Sequence, residues 1–245
     1  MPQALRAEWW DLEGPGDEPF LAWLQHEHLP ALQAVSGIGW TGLYRIAEKP
    51  APTAEGSTPA RRETTEPVPP GRQFVLLTSG ALETLLAPSP ALEGLDAALP
   101  LSRRRHWREA VFIEEQRIDG PDSSRFERDR SPPPAMQLGN FIIGSPEAER
   151  QMASYYRRHR FRQVEKTRGC IGARKYVSSV GWPKHGILYE FADMGREDHL
   201  FEARMNASIP DLRWNGPHPL HMVTHAPHAP HAGRRIWPPV DEATP

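Results

Sequence analysis

The 245 residues carry 29 Lys and Arg against 31 Asp and Glu, a formal net charge of -2, and 38% of them are hydrophobic. That is enough apolar material for a real core in one large domain or two ordinary ones, and the balanced charge sets up no field favouring nucleic acid or an anionic membrane. The single cysteine, Cys170, excludes an intrachain disulfide framework and any zinc site built from several cysteines.

The N-terminal stretch MPQALRAEWWDLEGPGDEP meets acidic residues and Pro15 before any apolar run develops, and no later run approaches the ~20 apolar residues needed to span a bilayer. The expectation is a cytoplasmic protein with no membrane and no nucleic-acid partner.

In chain order, Leu5 to Leu12 (LRAEWWDL) is short, aromatic and closed by Gly14-Pro15-Gly16, which predicts a strand. Phe20, Leu24, Ala31 and Val35 then recur at three- and four-residue steps, predicting a helix over 19–35 with Asp17 as N-cap and Gly37 as stop. Strand composition returns at 39–46 (GWTGLYRI) and 73–78 (QFVLLT), a pair that can form a long-looped hairpin. The intervening 48–71 is rich in Pro, Thr and charge and is read as a flexible insertion. Residues 81–99 are helical in composition, interrupted at Pro88 and Pro90, and 107–118 supplies a last strand. The order is β-α-β-β-α-β.

After a Pro- and charge-rich linker, 119–135, the order repeats: strand 137–143, helix 146–168, strands 173–178 and 186–191, helix 196–207 and strand 220–225. Placing Gly37 on Gly169 sets an offset of 132 residues (169 − 37), which puts Trp9 on Phe141, Trp10 on Ile142, Phe20 on Met152, Trp23 on Tyr155 and Tyr44 on Tyr176. Residue class survives where identity does not. The expected division is a first half over 1–118, a second over 136–226 and a His/Pro-rich tail over 227–245. A four-stranded sheet covered on one face by helices needs a partner for the other face, and a second copy supplies it.

The run Trp23-Leu24-Gln25-His26-Glu27-His28-Leu29-Pro30, followed by Val35-Ser36-Gly37-Ile38 and by Leu43-Tyr44-Arg45, resembles the EthD-like members of the dimeric α/β-barrel superfamily. Ser36 stands where that pattern has proline, and in the second copy Arg160 occupies the place of His28. The resemblance implies an α+β fold of two ferredoxin-like halves whose antiparallel sheets pair within one chain, as a pseudo-dimeric monomer or a homodimer of such chains. It also implies a pocket for a small hydrophobic molecule. The superfamily spans cofactor-free monooxygenases, cyclases, isomerases and haem enzymes, so the fold selects no chemistry.

His28, at the edge of the helix's apolar stripe, is the candidate general acid or base, with a capping or packing histidine as the alternative. Tyr44 is a second catalytic candidate. Trp9, Trp10, Trp40, Arg45 and Tyr176 are candidates for lining a substrate pocket, with core packing the commoner role for tryptophan. Strand alternation puts Trp9 and Trp10 on opposite faces, so one cavity can use only one of them. Arg174 and Lys175 are secondary candidates for holding an anion.

The histidines at 218, 221, 225, 228 and 231 raise metal binding. On a strand, however, His221 and His225 lie roughly 13 Å apart, too far for one ion, and the Ala-Pro-His units read as an irregular tail. No metal and no cofactor is therefore expected. Phosphate loops and nucleophile elbows are absent from the sequence. The reading is an enzyme of small-molecule metabolism acting on an aromatic or polyketide-like compound, with a non-catalytic small-molecule binding protein and a haem- or metal-binding barrel as the alternatives.

Overall fold

The computed structural model describes residues 3–12, 14, 17–48, 62–193 and 219–240. Its strands are β1 (Gln3–Asp11), β2 (Ile38–Ile46), β3 (Phe74–Ala81), β4 (Arg105–Asp119), β5 (Ala135–Ile143), β6 (Cys170–Gly181), β7 (His185–Phe191), β8 (Val223–His225) and β9 (His231–Trp237). Eight of them close into an antiparallel barrel in the order β1-β3-β2-β9-β5-β7-β6-β4, with β4 returning to β1. The short β8 pairs with Phe141–Ile143 of β5, beyond the stretch that β9 occupies. Closure leaves the barrel strands no open edge. The class is α+β, as expected, with the β2–β3 hairpin in place.

Helices coat the outside. In the first half α1 (Asp17–Trp23) runs through a π-helical turn (Leu24–His28) into α2 (Leu29–Gln33), followed by α3 (Leu82–Leu86) and α4 (Pro90–Ala98). In the second half α5 (Pro146–Tyr155) runs through a π-helical turn (Tyr156–Arg160) into α6 (Phe161–Val164), and α7 (Pro219–Met222) is a single turn before β8. The prolines punctuate as expected. Pro90 and Pro146 each open a helix, where a missing N–H costs nothing, and the Ser89 and Ser145 hydroxyls accept from Leu92 N (3.3 Å) and Ala148 N (3.2 Å). The predicted helix over 196–207 lies outside the described residues.

Three large cores follow from this architecture. Leu5, Ala7, Trp9, Trp40, Tyr44, Val75, Leu77, Ala110, Phe112, Met136, Leu138, Tyr176 and Leu188 fill the barrel lumen. Trp10, Leu24, Leu29, Leu43, Phe74 and Leu76 seal the first-half helices against the sheet, and Phe141, Met152, Tyr155, Ile187 and Tyr189 do so in the second half.

Three features depart from the sequence reading. The offset of 132 holds for the π turns, which end at His28 and Arg160, and for Gly37 and Gly169, both at positive φ (+91° and +79°). It fails in the first strand of each half. Trp9 points into the lumen whereas Phe141 packs under the helices, because side chains alternate with period two and a one-residue difference in the strand-to-helix connection reverses every face. The pair that shares a face is Trp10 and Phe141.

The second departure concerns the segment read as a linker. Residues 120–134 pack across one end of the lumen, where Trp40 Nε1 donates to the Arg128 carbonyl (3.2 Å) and Tyr44 Oη to the Pro133 carbonyl (2.9 Å). Third, the tail read as irregular contributes β9 from the end of its Ala-Pro-His units onward, and this strand joins β2 of the first half to β5 of the second. The end of the insertion is also held, since Thr64 N donates to the His225 carbonyl and His225 N to that of Arg62.

Gly37 shows how tightly the first helix-to-strand turn is built. A Cβ there would meet Thr84 Oγ1 at 2.1 Å in a left-handed backbone, whereas a Cβ on Gly169 meets nothing within 4 Å. Gly37→Ala is expected to cost about 1–3 kcal/mol and Gly169→Ala about 1 kcal/mol, measured by urea unfolding; equal losses would contradict the packing.

Candidate functional site

The outward face of β1 brings Arg6, Glu8 and Trp10 beneath the first-half helices. The sheet supplies charge where the helices supply apolar cover. Glu8 is 2% exposed; its Oε2 accepts from Arg104 Nη1 (2.5 Å) and Trp107 Nε1 (3.0 Å), and Arg6 Nε lies 3.4 Å from Oε1. Arg6 also donates to both Asp96 oxygens on α4 (2.9 and 2.8 Å) and to Glu109 Oε2 (3.1 Å). Burial pushes the Glu8 carboxyl up, but Arg6, Arg104 and the Trp107 indole pull it further down, leaving it below the usual carboxylate range. Glu109 goes the other way, raised by burial and by Glu8 despite Arg6.

His28 closes the π turn above this cluster. The extra residue in such a turn breaks the regular helix ladder and here ends with a buried imidazole, 3% exposed, whose ring centroid is 5.2 Å from that of Trp23. His28 Nδ1 is buried without a hydrogen-bond partner. Burial lowers the His28 pKa, Glu8 and Asp96 oppose that, Arg104 and Arg6 add to it, and the net is downward. The ring is therefore a neutral base near pH 7, and the Glu8 and Asp96 carboxylates favour the imidazolium it becomes on taking a proton.

A group whose folded pKa lies below its unfolded value takes up its proton preferentially in the unfolded state, so it withdraws stability as pH falls through the unfolded value. His28 and His185 are both lowered by burial. Unfolding free energy is thus expected to fall as pH drops below about 6.5, and His28→Gln should flatten that slope. An unchanged slope in the variant would contradict the assignment.

The other sequence candidates separate into compartments. Trp10 shares the helix-covered layer with His28, while Trp9, Trp40, Tyr44 and Tyr176 lie in the lumen. Trp9 and Trp10 do face opposite ways. Burial raises the Tyr44 and Tyr176 phenols beyond the range in which they ionise. Arg45 is exposed, its guanidinium 5.0 Å from the Phe74 ring. Arg174 and Lys175 are buried and paired, with Glu190 and Glu115 respectively. Arg160, which the offset of 132 places on His28, donates to Tyr189 Oη at 2.9 Å.

Sequence reasoning missed Glu8, Arg6, Arg104, Trp107 and Asp96. The signal for two of them was available, since Arg6 and Glu8 alternate on a strand whose intervening residues are apolar. Asp96, Arg104 and Trp107 come from distant chain and carried no local mark.

Among the described residues no group of three or more His, Cys, Asp or Glu side chains is arranged to hold a metal ion, and His221 lies in a helical turn rather than a strand. No described helix is long and apolar enough to cross a membrane. Cys170 is buried, and burial pushes its thiol up to about 12.

No protein-family profile matches the chain, and no curated protein matches it by sequence. Solved structures do match by shape. A candidate monooxygenase from Fusobacterium nucleatum subsp. nucleatum superposes over 96% of this chain and 93% of its own, with a TM-score of 0.58 at 7% identity. A candidate chlorite dismutase covers 96% of both chains, with a TM-score of 0.57 at 13% identity. An anthrone oxidase-like protein covers 96% and 92%, with a TM-score of 0.54 at 9% identity. At these identities the likeness is one of fold, a closed antiparallel barrel with helices outside it, formed here by a single polypeptide.

Proposed function

We propose that the chain is a cofactor-independent enzyme of small-molecule metabolism in which His28 acts as general base on a hydrophobic, aromatic or polyketide-like substrate. The carrying observation is the neutral, buried imidazole with an unpartnered Nδ1, set between an aromatic layer and the carboxylate of Glu8. Such a base suits removal of a proton from an activated carbon acid or a phenol. Trp23 and Trp10 favour a flat apolar substrate, and the name of one fold neighbour, an anthrone oxidase-like protein, favours the same substrate class.

The proposal includes a tandem duplication of a ferredoxin-like unit. Supporting it are the matching π turns, the matching positive-φ glycines and the strand orders β4-β1-β3-β2 and β9-β5-β7-β6. In this reading the first copy kept the base and the second replaced it with Arg160. The buried, unpaired Cys170 agrees with a cytoplasmic setting.

The test uses anthrone under air, following oxygen uptake and anthraquinone formation: anthrone and O2 give anthraquinone and water. Wild type should turn over and His28→Gln should not. Equal rates in wild type, His28→Gln and His28→Ala would sink the assignment of His28. Saturable binding of anthrone without turnover would favour the alternative, a small-molecule binding protein.

A further inference from the structure

The two ends of the barrel lumen treat their arginines differently. At the end crossed by residues 120–134 the buried guanidiniums are matched. Arg174 Nε donates to Glu190 Oε1 (3.0 Å), Arg128 Nε to Glu190 Oε2 (2.7 Å), and Glu114 and Asp129 complete the set around Arg174.

Towards the other end lies Arg108, on the lumen-facing side of β4. It is 6% exposed and makes no ion pair among the described residues. Its Cζ sits 3.7 Å from the Trp9 ring centroid, its Nη2 lies 3.3 Å from Asn140 Oδ1, and its Nε and Nη1 have no partner. The Trp9 indole N–H beneath it is likewise buried and unpartnered, and the His231 ring stands 6.2 Å from that of Trp9. β4 and β5, like β1 and β9, are not neighbours in the barrel order, so Arg108 reaches Asn140, and Trp9 meets His231, across the lumen.

Isolated buried charge is costly unless paired, and the residual attraction of the Trp9 face and one amide oxygen replaces only part of what water would give. Burial alone drags the Arg108 pKa down to about 9, still charged at neutral pH. A guanidinium with unused donors, an indole N–H beside it and no carboxylate in reach among the described residues make an incomplete ion pair whose missing half is an oxyanion.

We propose that this end of the lumen is an anion-binding site, in which Arg108, seated on Trp9 and steadied by Asn140, takes the carboxylate of a small organic acid or an inorganic oxyanion of similar size. The site lies on the opposite face of β1 from Glu8 and His28, so it does not depend on the reading of His28.

The experiment titrates wild type with sodium acetate, benzoate, nitrate and phosphate separately, at constant ionic strength set with a tetraalkylammonium chloride. Binding is read by calorimetry and by the thermal midpoint. The expected result is saturable, one-to-one binding of at least one probe with a rise in the midpoint. That binding should weaken roughly tenfold or more in Arg108→Met and less in Asn140→Ala, in line with loss of a charge-assisted contact. Should Arg108→Met fail to fold, Arg108→Lys, which keeps charge without the fork, must show the loss.

Comparing carboxylates with nitrate and phosphate tells an organic acid from an inorganic ion. Absence of saturable binding of every probe to wild type, or equal binding in the Arg108 variants, overturns the proposal and leaves water as the partner of the guanidinium.

Discussion

Glu190→Gln should cost about 3–5 kcal/mol, the loss expected when one partner of a buried ion pair is removed. Glu190 is 1% exposed and its two oxygens are divided between Arg174 and Arg128, themselves buried. A neutral amide leaves two like charges in the lumen: Arg128 keeps the 71% exposed Asp119, and Arg174 keeps the 52% exposed Asp129 and a share of Glu114. Glu114 is already held by Arg117, and the two exposed aspartates cannot replace a carboxylate held on both sides by guanidiniums. Asp129→Asn, by contrast, should cost under about 1 kcal/mol, as exposed pairs do.

Urea unfolding measures both, and a Glu190→Gln variant within 1 kcal/mol of wild type would refute the account. Because Arg128 belongs to the segment over 120–134, the same variant should speed proteolytic cleavage there.

His28→Gln should lower kcat for anthrone by about 10²- to 10⁴-fold, the range for loss of a general base, with KM near the wild-type value. Glutamine keeps much of the volume and polarity of imidazole but cannot accept and hold a proton. The pH profile separates this from a packing defect. Wild-type activity should rise with pH through a pKa below the ordinary histidine value and then level off, because burial lowers it, and the residual rate of the variant should lose that rise. Loss of rate with an unaltered profile would point to structure instead.

Local chemistry was readable from the residues wherever it was local in the fold. Pro90 and Pro146 start helices, Gly37 and Gly169 take positive φ in the turns that lead from helix to strand, and Trp9 and Trp10 face apart. Each depends on a backbone preference or on strand alternation within a few residues. His28 was legible as a candidate through its neighbours in the motif.

Its surroundings were not. Arg104, Trp107 and Asp96 converge on Glu8 and Arg6 across gaps of some ninety residues or more, and no periodicity encodes such a meeting. β9 was missed because Ala-Pro-His units look irregular, yet an open barrel edge supplies hydrogen-bond partners that outweigh weak local preference. The packing of 120–134 across the barrel end is hidden for a similar reason, since composition cannot show that a barrel end is waiting to be covered.

Local preferences and spacing specify the α+β class, the order of strands and helices in the first half and the histidine at the helix turn. Barrel closure, by contrast, assigns Trp9, Trp40, Tyr44 and Tyr176 to the lumen and leaves His28 and Trp10 to share the layer outside it. The physical reason is that a strand assigns its faces through register and closure, and both are set by chain far away in sequence.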